Sequence, residues 1–383
     1  MTASEQIGVR GKPDALHLLQ VIRGLAAVGV VCYHAALLLH EKAGSAGLGL
    51  FLSWGFSGVH IFFVLSGFII CLIHYSDIGR PLHAVRYVKK RFIRKYPVYW
   101  VVLLVGSIFF VAGQSGVTGY FILENISLLR ITNHDKIVSV AWTLSHEIFF
   151  YFVFLLFILS RVVGLIALSI WILLIGYFVM VGEIVMPPYY FTNLTKIDYG
   201  VFTNFVRLVS SPINLLFALG VSSFFLYRAL RASRYKEKIG LACLLVGGLI
   251  FTATSIDWLY SIEDTYLGWG VYNAEFGISG FFLMIGMLSS KADSWSSKRP
   301  ALMMLGDASF SIYLVHYGLQ RFILNYFGVP AGVGVDFAFI VLVSVAIICG
   351  VVFYRLVEAP LLALFGRGRT SRRNGSLFHS DTR

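Results

Sequence analysis

The sequence is dominated by ten apolar segments, each roughly as long as the 17–25 residues that a helix needs to cross a ~30 Å hydrocarbon core. They lie at residues 18–39, 51–73, 97–113, 142–160, 162–182, 211–227, 239–256, 267–289, 305–327 and 334–357. Only 13% of the residues are charged, whereas a soluble domain has about 25%. These segments predict an all-α polytopic integral membrane protein with about ten transmembrane helices.

The distribution of basic residues predicts the orientation of these helices, because cytoplasmic loops carry an excess of Lys and Arg. With a cytoplasmic N-terminus, six of the 31 Lys and Arg residues fall on the outer side, namely Lys42, Arg130, Lys136, Lys196, Arg207 and Arg321. Both termini are therefore expected in the cytoplasm, and the formal charge of +12 reflects topology and membrane lipids, not nucleic acid. Residues 1–17 would form a cytoplasmic segment, 18–360 the transmembrane domain, and 361–383 a basic, disordered cytoplasmic tail.

The first apolar segment carries two polar side chains at a spacing that places them on one helix face. Arg23 and His34 are eleven residues apart, which corresponds to about three turns and ~16 Å of rise. A charge at membrane depth is costly and often marks a functional site. We expect a cation at the cytoplasmic end of this helix and a proton acceptor in its outer half. The alternative is an arginine that reaches lipid phosphates and a structural histidine.

The fourth segment begins AWTLSHEIFFYF and places Glu147 about one turn below the outer boundary. His34 is expected at a similar depth, where a carboxylate can orient an imidazole as it does in hydrolytic triads. The two residues are therefore predicted to form a catalytic pair. The alternative is that Glu147 pairs with a structural Arg or Lys.

Several further polar side chains are predicted to line a substrate pocket. In the stretch SFSIYLVH, Ser309, Tyr313 and His316 fall at positions i, i+4 and i+7, which is one stripe of a helix. Ser66 of the second segment and Trp142 of the fourth complete the predicted set.

The loop before the third segment reads RYVKKRFIRKYPVYW and is dense in cations. Arg91 and Arg94 are three residues apart, so they project from one side of a short juxtamembrane helix. Topology and lipid headgroups explain part of this cluster. Arginine also suits bidentate recognition of phosphate, so the cluster is a candidate site for a polyanionic cytoplasmic ligand.

A cation cluster at the inner face below a His–Glu pair fits a donor with a phosphorylated head and a long uncharged arm, such as acyl-CoA. His34 would act as general base on an acceptor hydroxyl that attacks the thioester. A covalent acyl-histidine is the other route, and the sequence leaves both open.

The motifs Arg23-x10-His34, FFVLSGF, RFIRKYPVYW, AWTLSHEIFFYF and GDASFSIYLVH resemble, in that order, those of the membrane-bound acyltransferase 3 family. The resemblance extends from about residue 16 to the VEAP at 357–360. It implies a bacterial inner-membrane enzyme that moves acetyl or another short acyl group from cytosolic acyl-CoA to a hydroxyl of a surface polysaccharide or lipid-linked sugar. The AWTLSHEIFFY segment looks closest to the exopolysaccharide branch.

On the matching positions, the resemblance implies that His34 is the catalytic base and that Arg23, Arg91 and Arg94 handle the acyl donor. Acetyl-CoA or another acyl-CoA would be a co-substrate, and no permanently bound cofactor is expected.

Two other classes of protein are weighed against this interpretation. A proton-coupled transporter or flippase of a sugar-containing substrate would also carry buried His, Glu and Arg, but the inverted repeats common in such carriers are not visible in the sequence. The second class is a zinc enzyme. A metal site is not expected, because His146-Glu147 lacks the second histidine of the H-E-x-x-H motif.

Overall fold

The computed structural model describes residues 15–111, 119–129, 137–180, 203–260, 269–290, 298–329 and 334–366. Regular structure within these ranges is entirely helical. The helices are α1 (Ala15–Ala43), α2 (Ser57–His74), α3 (Ala84–Val111), α4 (Gly119–Ser127), α5 (Trp142–Leu159), α6 (Arg161–Met180), α7 (Thr203–Ser210), α8 (Leu215–Leu230), α9 (Lys236–Tyr260), α10 (Trp269–Ser289), α11 (Pro300–Asp307), α12 (Ser309–Phe327), α13 (Val335–Phe353) and α14 (Ala359–Gly366). A long 3-10 segment, Gly47–Phe56, precedes α2.

Seven helical segments in the described ranges are long and apolar enough to cross a membrane. They are His17–Ala43, Gly47–Asp77, Ser139–Leu159, Arg161–Phe178, Pro212–Leu230, Lys236–Tyr260 and Val335–Phe365. All seven coincide with predicted spans, and α3, α10 and α12 lie where the other three were predicted. The chain is thus an all-helical polytopic membrane protein. The number of ten spans and the side of each terminus stay predictions.

Helix α1 lies at the centre of the bundle, where it packs against the 3-10 segment and against α2, α11, α12 and α13. In the most apolar 18-residue stretch of α1, 72% of the residues are buried. In the corresponding stretch of α6, 22% are buried. A central helix has few positions that face lipid, so its polar side chains point towards other helices. Arg23 and His34 are therefore placed in the interior of the bundle.

A glycine pair brings α2 and α8 into close contact. A Cβ atom on Gly67 would lie 2.2 Å from the carbonyl oxygen of Phe217, and one on Gly220 would lie 2.0 Å from that of Val64. Only glycine permits backbones to approach this closely, as small residues commonly do at helix contacts in membranes. The contact fixes the position of Ser66, the neighbour of Gly67.

Three helical regions differ from their predicted extents. Helix α3 runs unbroken through Pro97, so the predicted juxtamembrane helix and the third span are one element. The predicted span 305–327 is divided at Ala308 into α11 and α12. Helix α14 continues to Gly366, beyond the predicted domain boundary at residue 360. Residues 1–14 and 367–383, the main parts of the predicted terminal segments, lie outside the described residues.

Candidate active site

A cavity with about 870 Å³ of empty space, its open mouth included, lies between α1, α2, α3, α5, α8 and α12. Seven of the residues predicted for the site line it, namely Arg23, Ser66, Arg91, Arg94, Glu147, Ser309 and Tyr313. Residues from both ends of the sequence thus meet around one cavity.

The cavity is rich in cations. Arg23, Arg91, Arg94 and Lys95 line it together with one carboxylate, Glu147. The guanidinium of Arg91 lies 5.2 Å from the ring centre of Tyr151. Its Nε and Nη2 atoms are buried and have no hydrogen-bond partner in the described part of the chain. A buried charged donor without a partner is costly, so this guanidinium is well placed to receive an anionic ligand.

The carboxylate of Glu147 has three partners in the structure. Lys95 Nζ lies 2.8 Å from Glu147 Oε2, while Ser66 donates a hydrogen bond of 3.3 Å to Oε1 and Tyr151 donates another to the same atom. The Lys95 ammonium also lies 4.4 Å from the ring centre of Phe310. Glu147 therefore pairs with a lysine, as the alternative interpretation of the sequence allowed. The predicted pair of Glu147 with His34 is wrong, because His34 contacts His316 instead.

His34 contacts a second histidine. Nδ1 of His34 lies 3.0 Å from Nε2 of His316 and 3.1 Å from the carbonyl oxygen of Val30. Nδ1 of His316 lies 2.7 Å from the carbonyl of Tyr313, which requires a proton on that nitrogen. A neutral His316 then accepts through Nε2, and His34 donates through Nδ1–H. In this arrangement the lone pair of His34 that can accept a proton is on Nε2.

Tyr313 connects the cavity to this pair of histidines. Its hydroxyl lies 2.9 Å from Thr143 Oγ1 and donates to the carbonyl of Val140 at 3.1 Å, and its ring centre lies 5.7 Å from that of His316. Ser309, Tyr313 and His316 are all buried in α12. Of these three, Ser309 and Tyr313 line the cavity, and the predicted stripe of three pocket residues stays a prediction.

Three predicted site residues do not line the cavity. His34 and His316 lie beyond Tyr313, as their contacts show. Trp142 packs edge-on against His146, with ring centres 5.8 Å apart. The predicted pocket role of Trp142 therefore has no support from its position.

Sequence reasoning missed Lys95, Thr143 and Tyr151, which also line the cavity. Each had a usable signal. Thr143, Glu147 and Tyr151 are spaced i, i+4 and i+8 and so share one face of α5. Lys95 is four residues after Arg91, so it lies on the same side of α3.

This chain resembles two bacterial proteins over most of its length. It is 28% identical over 328 residues to the exopolysaccharide production protein ExoZ of Rhizobium meliloti (strain 1021), in an alignment that covers 83% of this chain and 92% of ExoZ. It is 23% identical to the O-acetyltransferase OatA of Staphylococcus aureus (strain NCTC 8325 / PS 47), over 91% of this chain and 57% of OatA. The chain thus spans little more than half the length of the staphylococcal relative. No solved structure matches it.

The model of the acyltransferase 3 family, described as an acyltransferase domain, matches residues 16–355. This range contains all the cavity-lining residues and both histidines of the contact described above. The chain therefore belongs to the acyltransferase 3 family of membrane proteins.

Proposed function

We propose that this protein transfers an acetyl or other short acyl group from acyl-CoA to a hydroxyl of a surface polysaccharide or lipid-linked sugar, in the bacterial inner membrane. Its family supports acyl transfer, and the names of its relatives point to exopolysaccharide production and to O-acetyl transfer. The observation that carries the donor assignment is the cation-lined cavity, in which two buried nitrogens of Arg91 have no hydrogen-bond partner among the described residues.

The phosphates of the donor would bind Arg23, Arg91 and Arg94, because arginine recognises phosphate through paired, charge-assisted hydrogen bonds. The uncharged arm would then extend along α12 past Ser309 to Tyr313. With the basic start of α3 in the cytoplasm, as the distribution of Lys and Arg predicts, cytosolic acyl-CoA would reach the cavity directly.

His34 would act as general base in the transfer step. Its Nε2 takes the proton of the acceptor hydroxyl while the oxygen attacks the thioester carbonyl carbon. The carbon–sulfur bond then breaks, and the leaving thiolate of CoA takes the proton from His34, which returns to its starting state. His316 would hold His34 in the tautomer that this step requires.

Transfer of labelled acetyl from acetyl-CoA tests the proposal, with the protein in membranes of a host that makes a surface polysaccharide. The Arg91→Ala variant is expected to raise the KM for acetyl-CoA about ten- to a hundredfold, because a hydrogen bond to a charged group contributes about 1.5–3 kcal/mol. The rate at saturating donor should change much less.

The matched control is Arg86→Ala, which removes an exposed arginine of α3 outside the cavity lining and should leave the KM near that of the wild type. If both variants raised the KM equally, the basic residues of α3 would serve membrane orientation and lipid binding and not donor recognition. Uptake of a sugar substrate without transfer of label would favour the transporter instead.

A further inference from the structure

A π-helical turn, Tyr354–Glu358, interrupts the path from α13 to α14. Pro360 provides a physical reason for it, since a proline has no N–H and its ring clashes with the carbonyl four residues earlier. A wider turn relieves this clash, and such turns are frequent at functional sites. Here the turn ends on Glu358, whose side chain is completely buried (0% exposed).

The carboxylate of Glu358 is held on one side only. Ser311 donates a hydrogen bond of 2.6 Å to Oε2. The other oxygen, Oε1, has no hydrogen-bond partner among the described residues. It lies 3.9 Å from Nη1 of Arg94, which is within ion-pair distance but too long for a hydrogen bond.

The carboxylate of Glu358 attracts the guanidinium of Arg94 without accepting a hydrogen bond from it. Arg94 lines the cavity and its side chain is 37% exposed, and a guanidinium has five N–H donors. A fixed negative charge behind it restricts where the guanidinium can lie, while its donors stay available to an anion.

We infer that Glu358 is a positioning residue that holds the guanidinium of Arg94 ready for a phosphate group of the acyl donor. The inference rests on the proposed function, because it takes the ligand of the cavity to be acyl-CoA. Arginine side chains lose much conformational freedom when they bind, and this loss weakens binding. A charge that orders Arg94 beforehand removes part of that cost and so strengthens donor binding.

The test is the binding of CoA to the full chain in lipid nanodiscs, with the wild type, Glu358→Gln, Arg94→Ala and the double variant. Glu358→Gln keeps the side-chain shape and is expected to weaken CoA binding about three- to tenfold, the effect of ordering one such side chain. The double variant should bind no more weakly than Arg94→Ala alone. In transfer assays the KM for acetyl-CoA should rise with the rate at saturating donor nearly unchanged.

The matched control is Glu275→Gln. Glu275 is also a carboxylate in an apolar helix and also accepts a hydrogen bond from a hydroxyl, that of Thr254 at 2.9 Å, but it does not line the cavity. Its variant should bind CoA like the wild type. If Glu358→Gln does not fold, Ser311→Ala loosens the same carboxylate and should weaken binding in the same direction.

Two results would overturn the inference: tighter or unchanged CoA binding in Glu358→Gln, or the same weakening in a background that already lacks Arg94. Failure of the wild type to bind CoA at all would instead overturn the proposed function. The two failures are therefore distinguishable in one set of measurements.

Discussion

Replacing His34 with alanine is expected to lower the rate of acetyl transfer at saturating acetyl-CoA by about 10²- to 10⁴-fold, the usual contribution of a general base. The affinity for CoA should change little, because His34 lies outside the lining of the cation-rich cavity. The measurement is kcat for labelled acetyl transfer together with the Kd for CoA, in variants shown to insert at equal levels.

The contact with His316 makes a second, smaller effect part of the same prediction. His316→Ala should reduce kcat by about tenfold or more, since the base remains but loses the acceptor that fixes its tautomer. His40→Ala is the matched control, because His40 is an exposed histidine of the same helix. Normal transfer by His34→Ala would show that the Arg23 to His34 motif is structural, and the base would then have to be sought elsewhere.

Helical periodicity predicted which side chains share a face, and these predictions were accurate. Ser309 and Tyr313 of α12 do face one cavity, as do Arg91 and Arg94 of α3. Both follow from the 3.6-residue repeat of the helix, which depends on local geometry alone. The apolar lengths predicted the polytopic helical fold for a similar reason, because the membrane fixes the length of a spanning helix.

The partners of these side chains depend on how each helix is rotated about its axis, which the sequence does not specify. Depth alone allowed Glu147 to meet His34, but α5 turns Glu147 towards Lys95 of α3. His34 instead meets His316 of α12. A depth estimate gives the position of a side chain along the membrane normal. Whether two side chains meet also depends on the direction in which each one points from its helix.

Lys95 was missed for a related reason. The third span was predicted from its apolar run, which begins at Pro97, and this left Lys95 in the basic loop before it. Because α3 continues through Pro97, Lys95 is carried into the bundle, where its side chain is only 14% exposed. Glu358 was missed because the turn that buries it is π-helical, a conformation without a periodic sequence signal.

The second large effect is expected at this ion pair. The Lys95→Met variant leaves the carboxylate of Glu147, only 12% exposed, without its cation. Breaking a buried ion pair by removing one partner destabilises a protein by about 3–5 kcal/mol. We therefore expect a clear loss of thermal stability in detergent, measured as the temperature at which the folded monodisperse fraction disappears, and loss of acetyl transfer. Lys89→Met, at an exposed position of the same helix, should have neither effect.

The double variant Lys95→Met with Glu147→Gln separates the two losses. The amide oxygen of Gln still accepts the hydrogen bonds that Ser66 and Tyr151 donate to Oε1 of Glu147, and no buried charge is left unpaired. Neutral replacement of a buried ion pair is often tolerated, so most of the stability should return. Transfer should stay low, because both replaced side chains line the cavity, which has then lost the ammonium group of Lys95 and its one carboxylate. Wild-type stability in Lys95→Met alone would contradict a stabilising role for the Lys95–Glu147 ion pair. Recovery of full activity in the double variant would show that this ion pair has a structural role only.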